Sequence, residues 1–391
     1  MPHSFRLLGH GFDTIQLTLR VRVPETLAEA IYEAQKAAKE TRKPEPVTLG
    51  PGHVRADVLR HGGMGGDAML STGELGEIYA FKLDQKRDEW GVMVKLRALA
   101  LLCYGLPGAL ERMWERVRGM GLAPTGYSLG RVDYSFDVLT DPSFALAEDC
   151  LIRPNRTLVR PYEAVDREHP AFEWNDDPDV RRLLRGTRIE TLMVSKIGTG
   201  MQVVIYDKRA EMIANRNHTL MESYGLDPAE KRWRLWRIEV RYAGDVLKRR
   251  WNVRDFPSLA RELQNMLKRA LTRVRYVEAG QDHLPSPRRT LYTFWTTATD
   301  AIALATCEQP PQFAPERAEY MLREERKRSL DANIAGCAVA RAAMEVTDPK
   351  RAAEMAPTMA LRAVEGALKA DPAKAARAIE RTGQRHHATE A

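Results

Sequence analysis

No stretch of this chain approaches the ~20 apolar residues needed to cross a bilayer, so a membrane-spanning protein is not expected. Cysteine is scarce: Cys103, Cys150, Cys307 and Cys337 lie far apart and form no Cys-x-x-Cys pair. They read as buried free thiols in a reducing compartment rather than as a zinc site or a disulfide framework. The opening residues Met1-Pro2-His3-Ser4-Phe5-Arg6 carry no basic patch followed by a long apolar stretch. No secretory signal is therefore expected, and the expected location is cytoplasmic. There is no Gly-Lys-Ser/Thr phosphate loop, and Gly198-Thr199-Gly200 lacks the third glycine of a dinucleotide fingerprint. The nine histidines contain neither His-Glu-x-x-His nor a His-hydrophobic-His triplet, and His386-His387 reads as a solvated pair in the tail. Gly126-Tyr127-Ser128-Leu129-Gly130 does match Gly-x-Ser-x-Gly. A nucleophile elbow needs a strand before it and a helix after it, whereas here a loop is expected before and a strand after, so the segment is read as a turn. If the chain is an enzyme, its chemistry is expected to rest on carboxylates, Tyr, Lys and Arg.

What is present is a folded composition: 391 residues, 44% hydrophobic and 29% charged, with a net charge of +7. Residues 12–23 alternate, with Ile15, Leu17, Leu19, Val21 and Val23 on one side, which predicts a half-buried strand. Pro24 ends it, and helical spacing follows from Leu27. Gly62–Gly66 predicts a turn, 76–83 and 90–96 a hairpin, and 107–119 a helix opened by Pro107. The order then repeats: strand 130–138, an irregular stretch over about 140–188, strands 190–196 and 201–208, helix from about 209, strand 234–242 and helix 257–277. Two units of strand, hairpin and helix suggest a duplication without residue repeats. Beyond Pro315 the pattern is helical, with breaks at Asp348-Pro349 and Asp371-Pro372, and the last eight or so residues should be disordered.

Three strands carry polar residues on one face. In 131–137, period two puts Arg131, Asp133, Ser135 and Asp137 together. Two like-charged carboxylates repel unless a cation lies between them or water screens them, so a solvated face and a cation site both remain open. In 202–211, Tyr206 and Lys208 share a face, and Glu211 falls in the first turn of the following helix. A tyrosine with pKa ~10 needs a cation or a base nearby to act as a nucleophile. In 236–242, Arg237, Glu239 and Arg241 share a face, as in an ion-pair ladder or in a site that holds a metal while arginines grip phosphate.

Taken in order, Arg-Val-Asp-Tyr-Ser-Phe-Asp (131–137), Val-Ile-Tyr-Asp-Lys-Arg-Ala-Glu (204–211) and Trp-Arg-Ile-Glu-Val-Arg (236–241) resemble the Rep_trans family of plasmid and phage rolling-circle replication initiators, with related conjugative relaxases. The opening Gly11-Phe12-Asp13-Thr14 strand and the Gly-rich loop before a Trp-containing hairpin are similar too. The resemblance covers roughly residues 10–278. It implies a site-specific DNA nicking and closing enzyme, with Tyr206 attacking a phosphodiester to leave a phosphotyrosine link and a free 3′-hydroxyl. Asp133 and Glu239, with Asp137 as a third, would hold Mg²⁺ or Mn²⁺, to which hard carboxylate oxygens are suited. Lys208 would assist the tyrosine, and Glu211 would be a base or simply a helix N-terminal charge. A relaxase, or a non-catalytic DNA-binding regulator on the same scaffold, is the alternative. The enzymatic reading requires Tyr206 and Glu239 on adjacent strands, on one face, with Asp133 within metal-bridging distance.

Residues 231–277 contain fourteen Lys or Arg against four Asp or Glu, an excess of ten, so the other 344 residues sum to −3. Trp233, Trp236 and Trp251 are interleaved with these bases, which suits a partly single-stranded DNA partner unless the indoles are core. Arg237, Arg241, Lys248, Arg249, Arg250 and Trp251 are the expected DNA contacts. The expected fold is α+β: a largely antiparallel curved sheet from two similar halves, with helices packed on it and an all-helical C-terminal appendage. The expected divisions are 1–130, 131–280, a connecting 281–314 and a helical 315–391. The tail could pack on its own chain, form a homodimer or recruit a helicase.

Overall fold

The computed structural model describes residues 4–84, 90–147, 149–152, 180–185, 188–194, 200–215, 217–227, 230, 232–373, 376 and 379. Most of the irregular stretch expected over 140–188, the Gly198-Thr199 turn and the tail with His386-His387 lie outside the described residues. Residues 1–315 and 316–391 form two compact units. No helix among the described residues is long and apolar enough to cross a membrane.

The first unit begins with β1 (Phe5–Arg20), α1 (Glu25–Thr41), β2 (Glu45–Leu49), β3 (Val54–Val58), β4 (Ala68–Ser71), β5 (Glu77–Phe81), β6 (Val92–Leu96) and α2 (Ala98–Gly119). It continues with β7 (Gly126–Thr140), β8 (Leu151–Ile152), β9 (Val180–Arg185), β10 (Arg188–Val194), β11 (Met201–Asp207), α3 (Lys208–Ala214) and α4 (His218–Ser223). Then come β12 (Arg234–Ala243), α5 (Gly244–Trp251), α6 (Phe256–Arg273), β13 (Arg275–Tyr276) and α7 (Thr293–Asp300). An eleven-stranded sheet runs β2-β3-β4-β5-β6-β1-β7-β12-β11-β10-β9, and its adjacent strands pair antiparallel. Each half is a long strand followed by a meander whose last member returns beside it: β6 beside β1, and β12 beside β7. The halves meet where β1 pairs with β7. This is the expected α+β fold with an antiparallel sheet built from two similar halves.

Several local expectations need correcting. The first helix of α2 starts at Ala98, not Pro107, because Gly105 (φ 64°, ψ 175°) breaks it and Pro107 opens only its second part. Gly126–Gly130 is neither a turn nor an elbow but the start of β7. Strands β2–β4 and helix α5 carried no recognised signal.

The main core lies between one sheet face and α1, α2, α6 and α7. Ile15, Leu17 and Leu19 of β1, Val132, Tyr134 and Phe136 of β7, and Trp236, Ile238 and Val240 of β12 all point into it, fully or almost fully buried. On the other face a smaller cluster, Met212, Leu220, Met221, Leu226, Trp233 and Leu235, seats α3 and α4 over one end of the sheet. In the second unit, α8 (Pro315–Ala343) and α9 (Pro349–Ala370) share a seam of Ala342, Ala352 and Ala356. Asp348 caps α9 by accepting from Lys350 N at 3.2 Å.

Candidate active site

Strand register builds the site on the face away from the main core. Tyr206 lies opposite Arg237, which lies opposite Asp137 and then Gly9. One step along, Glu239 lies opposite Val204 and Ser135, and beyond it Arg241 lies opposite Gln202 and Asp133. Because side chains alternate across a strand, every polar member of these rungs projects to one side.

β1 adds a residue that alternation alone would misplace. Phe12 pairs with Tyr134 but Thr14 pairs with Asp133, leaving Asp13 as the extra residue of a β-bulge. The bulge inverts the parity of the strand: Phe12 faces the core before it, and Ile15, Leu17 and Leu19 do so after it. Asp13 thereby joins the polar face. Carboxylate oxygens of Asp13, Asp133 and Glu239 all lie within 4.8 Å of one another. Three hard oxygen donors so grouped fit a divalent cation such as Mg²⁺ or Mn²⁺.

The phenol of Tyr206 donates to Glu239 Oε2 at 3.2 Å. Burial holds it well above the usual tyrosine pKa. Arg237 opposes that shift, while Glu239, Asp13 and Glu211 add to it. The Asp133 carboxyl is raised to about 6, chiefly by burial and also by Glu239, against the pull of Arg131 and Arg241. Burial pushes on Asp13 in the same direction, but Arg237, Lys208, Arg241 and Lys95 together hold it below the usual carboxylate value.

Arg237 is the hub of the site. Its Nε and Nη2 grip Asp137 at 2.7 and 2.8 Å, its Nη1 reaches Asp13, and its Nη2 meets the Tyr224 hydroxyl at 3.0 Å. Tyr224 in turn donates to Asp137 Oδ2 at 2.6 Å. A cavity of about 30 Å³ beside this hub, bordered by Gly11, Asp13, Tyr224 and Gln309, has room for a water molecule.

The structure thus brings Tyr206, Asp133 and Glu239 together. Asp137 stands on the same face but outside the acidic group, with its oxygens engaged by Arg237 and Tyr224. Lys208 opens α3, is buried, and pairs with Glu211 at 2.7 Å, with its ammonium 5.7 Å from the Tyr206 ring centre. Arg237, opposite Tyr206 on β12, is the charge that pulls the Tyr206 phenol back down. Arg237 is not an exposed DNA contact, because its guanidinium is buried and fully engaged. Trp233 and Trp236 are core rather than stacking surfaces, and Trp251 is half-buried edge-on to Tyr242 at 6.4 Å. Arg249 and Arg250 are exposed and Lys248 is half-buried. The basic side chains of α6 lie across the sheet from Tyr206, since α6 packs on the core face, where Tyr242 donates to Met266 O at 2.7 Å. Asp13, Arg131 and Tyr224 were missed as site residues. For Asp13 a signal existed: Phe12 is out of phase with Ile15, Leu17 and Leu19, and two polar residues stand between them.

No family model matches the chain, and no curated protein matches it. Among solved structures, it is similar to a rolling circle replication initiator protein from Geobacillus stearothermophilus, with TM-score 0.40 and 12% identity over 78% of this chain and 100% of that one.

Proposed function

We propose that this chain is a metal-dependent DNA nicking and rejoining enzyme in which Tyr206 is the nucleophile. The observation that carries the reading is the 3.2 Å hydrogen bond from the Tyr206 phenol to Glu239, a member of the Asp13–Asp133–Glu239 group. The order of strand motifs that resembles the Rep_trans initiators supports the same reading, with initiation of rolling-circle replication as the setting and transfer by a relaxase as the alternative.

Tyr206 gives its proton to Glu239 and its oxygen attacks a phosphodiester phosphorus. The bond from phosphorus to the 3′-oxygen breaks, that oxygen leaves as a hydroxyl after taking up a proton, and the 5′-phosphate stays on the tyrosine. A 3′-hydroxyl attacking the phosphotyrosine reverses the step and rejoins the strand. A divalent cation held by Asp13, Asp133 and Glu239 would polarise the phosphate and offset the carboxylate charge that keeps the phenol protonated. Arg237 fixes Asp13, and Arg131 and Arg241 stand at the open side of the face. Lys208, paired with Glu211, supplies positive charge beside the tyrosine ring. In this reading the nicking core is the first unit, residues 1–315, because the stretch expected to be a connector over 281–314 contributes α7 to its core.

Supercoiled DNA carrying the cognate origin, incubated with Mg²⁺ or Mn²⁺, should become nicked with protein attached at the 5′ end. Tyr206→Phe should abolish both the nick and the attachment. Nicking that survives the Phe substitution removes Tyr206 as the nucleophile.

A further inference from the structure

Each carboxylate of the acidic group already has an arginine. Asp133 receives Nε of Arg131 on its two oxygens at 2.8 and 2.9 Å, and Nη2 at 2.7 Å. Glu239 receives Nε and Nη2 of Arg241 at 2.7 and 3.1 Å. Asp13 receives Nη1 of Arg237. The three arginines differ in one decisive respect. The Arg237 side chain is 4% exposed and also bound to Asp137, whereas those of Arg131 and Arg241 are 38% and 27% exposed. Both of these reach carboxylates that are themselves only 1% and 2% exposed. Arg131 and Arg241 can turn into solvent without leaving buried charge behind only when another cation takes their carboxylates, while Arg237, itself buried, cannot reach solvent in that way.

A cation entering the group must compete with guanidiniums that occupy both oxygens of Asp133 and of Glu239. Arg131, Arg237 and Arg241 face four carboxylates, counting Asp137, so the cluster carries about one negative charge. With a divalent cation added it carries about one positive charge, and two guanidiniums lose their partners.

We infer that Arg131 and Arg241 are exchangeable counterions: they cover Asp133 and Glu239 in the metal-free chain, and are released to bind phosphodiester oxygens of single-stranded DNA once a divalent cation takes those carboxylates. This rests on the metal site of the proposed function. Guanidinium forks suit phosphate as well as carboxylate, so the exchange swaps one charge-assisted pair for another. Metal and DNA then bind cooperatively, and by linkage each tightens the other by the same factor. The sign is diagnostic, because free divalent ions otherwise screen phosphate and weaken basic contacts to DNA.

The test uses the full chain carrying Tyr206→Phe, to block cleavage, and a fluorescent single-stranded oligodeoxynucleotide. Anisotropy in EDTA and in Mn²⁺ gives DNA affinity, and electron paramagnetic resonance of free Mn²⁺ gives metal affinity with and without the oligonucleotide. Mn²⁺ should tighten DNA binding on the order of tenfold, within the usual range of coupling, and DNA should tighten Mn²⁺ binding equally. Adding Arg131→Gln and Arg241→Gln should strengthen Mn²⁺ binding without DNA and remove the coupling. Should that variant fail to fold, Arg131→Lys and Arg241→Lys keep the charge but cannot cover both oxygens, so they should raise metal affinity and shrink the coupling. Metal binding without coupling in the parent, or coupling undiminished in the variants, overturns the exchange and leaves the metal site standing. Absence of Mn²⁺ binding in the parent removes the site and the exchange together.

Discussion

Replacing Asp137 with Ala tests whether Arg237 is held as the geometry says. The substitution removes two charge-assisted hydrogen bonds of 2.7 and 2.8 Å to Arg237 and the 2.6 Å acceptor of the Tyr224 hydroxyl. Both side chains are almost wholly buried, at 2% and 4% exposure, so little solvent beyond the water-sized cavity beside them is available to take over the lost partner. Breaking a buried pair by deleting one member costs ~3–5 kcal/mol. Asp13 remains beside the guanidinium, which puts the expected loss near the low end, at about 3 kcal/mol. Urea unfolding followed by tryptophan fluorescence reads this as a lower midpoint at unchanged slope, since Trp236 and Trp295 are fully buried in the same unit. Arg237→Met in the same background removes the orphaned charge, so the double variant should lose much less than the sum of the single losses, with a coupling on the order of 2 kcal/mol. A loss under about 0.5 kcal/mol for Asp137→Ala, or strictly additive losses, would refute the reasoning.

Asp133 should make stability fall with rising pH. Its folded pKa of about 6 exceeds an unfolded value of ~3.9, so between these the folded state keeps a proton the unfolded state has lost. The penalty is absent below the unfolded value and reaches about 3 kcal/mol above the folded one, at ~1.4 kcal/mol per unit. Asp133→Asn should therefore be more stabilising in urea unfolding at pH 7.5 than at pH 4.5, and an equal effect at both pH values refutes the assignment. Gly105→Ala should destabilise the first unit, because φ there is 64° and a new Cβ would meet the Gln309 carbonyl at 2.5 Å. Thermal unfolding should show a lowered midpoint, whereas an unchanged one means that segment 309–312 yields freely.

Much of the second half was legible because its strands are buried on a face with strict alternation. Trp236, Ile238 and Val240 face the core while Arg237, Glu239 and Arg241 face away, and period two is visible in the letters. The α6 helix was legible for the same reason at period 3.6, through Leu259, Leu263, Met266, Leu267 and Leu271. Strands β2 to β4 were not, since Pro46 interrupts β2 and the Arg-Ala-Asp of β3 and the four residues of β4 are poor in β-branched and aromatic side chains, whereas the equally short β5 and β6 carry Ile, Tyr, Phe and Val. Helix α5 was not, because Gly-Asp-Val-Leu-Lys-Arg-Arg-Trp offers a single buried residue, Leu247, and no repeat.

The basic segment misled for a different reason. A linear excess of ten charges says nothing about faces, and folding sends Arg237 and Arg241 to one side of the sheet and the α6 bases to the other. Asp13 combines both lessons. Read by parity from Ile15, Leu17 and Leu19 it should face the core, where an unpaired carboxylate would carry a desolvation cost of several kcal/mol. One inserted residue moves it to the polar face, within 4.8 Å of Asp133 and Glu239. An acidic residue next to a phase break in an otherwise regular strand is therefore a reason to look for a bulge, and for the site the bulge serves.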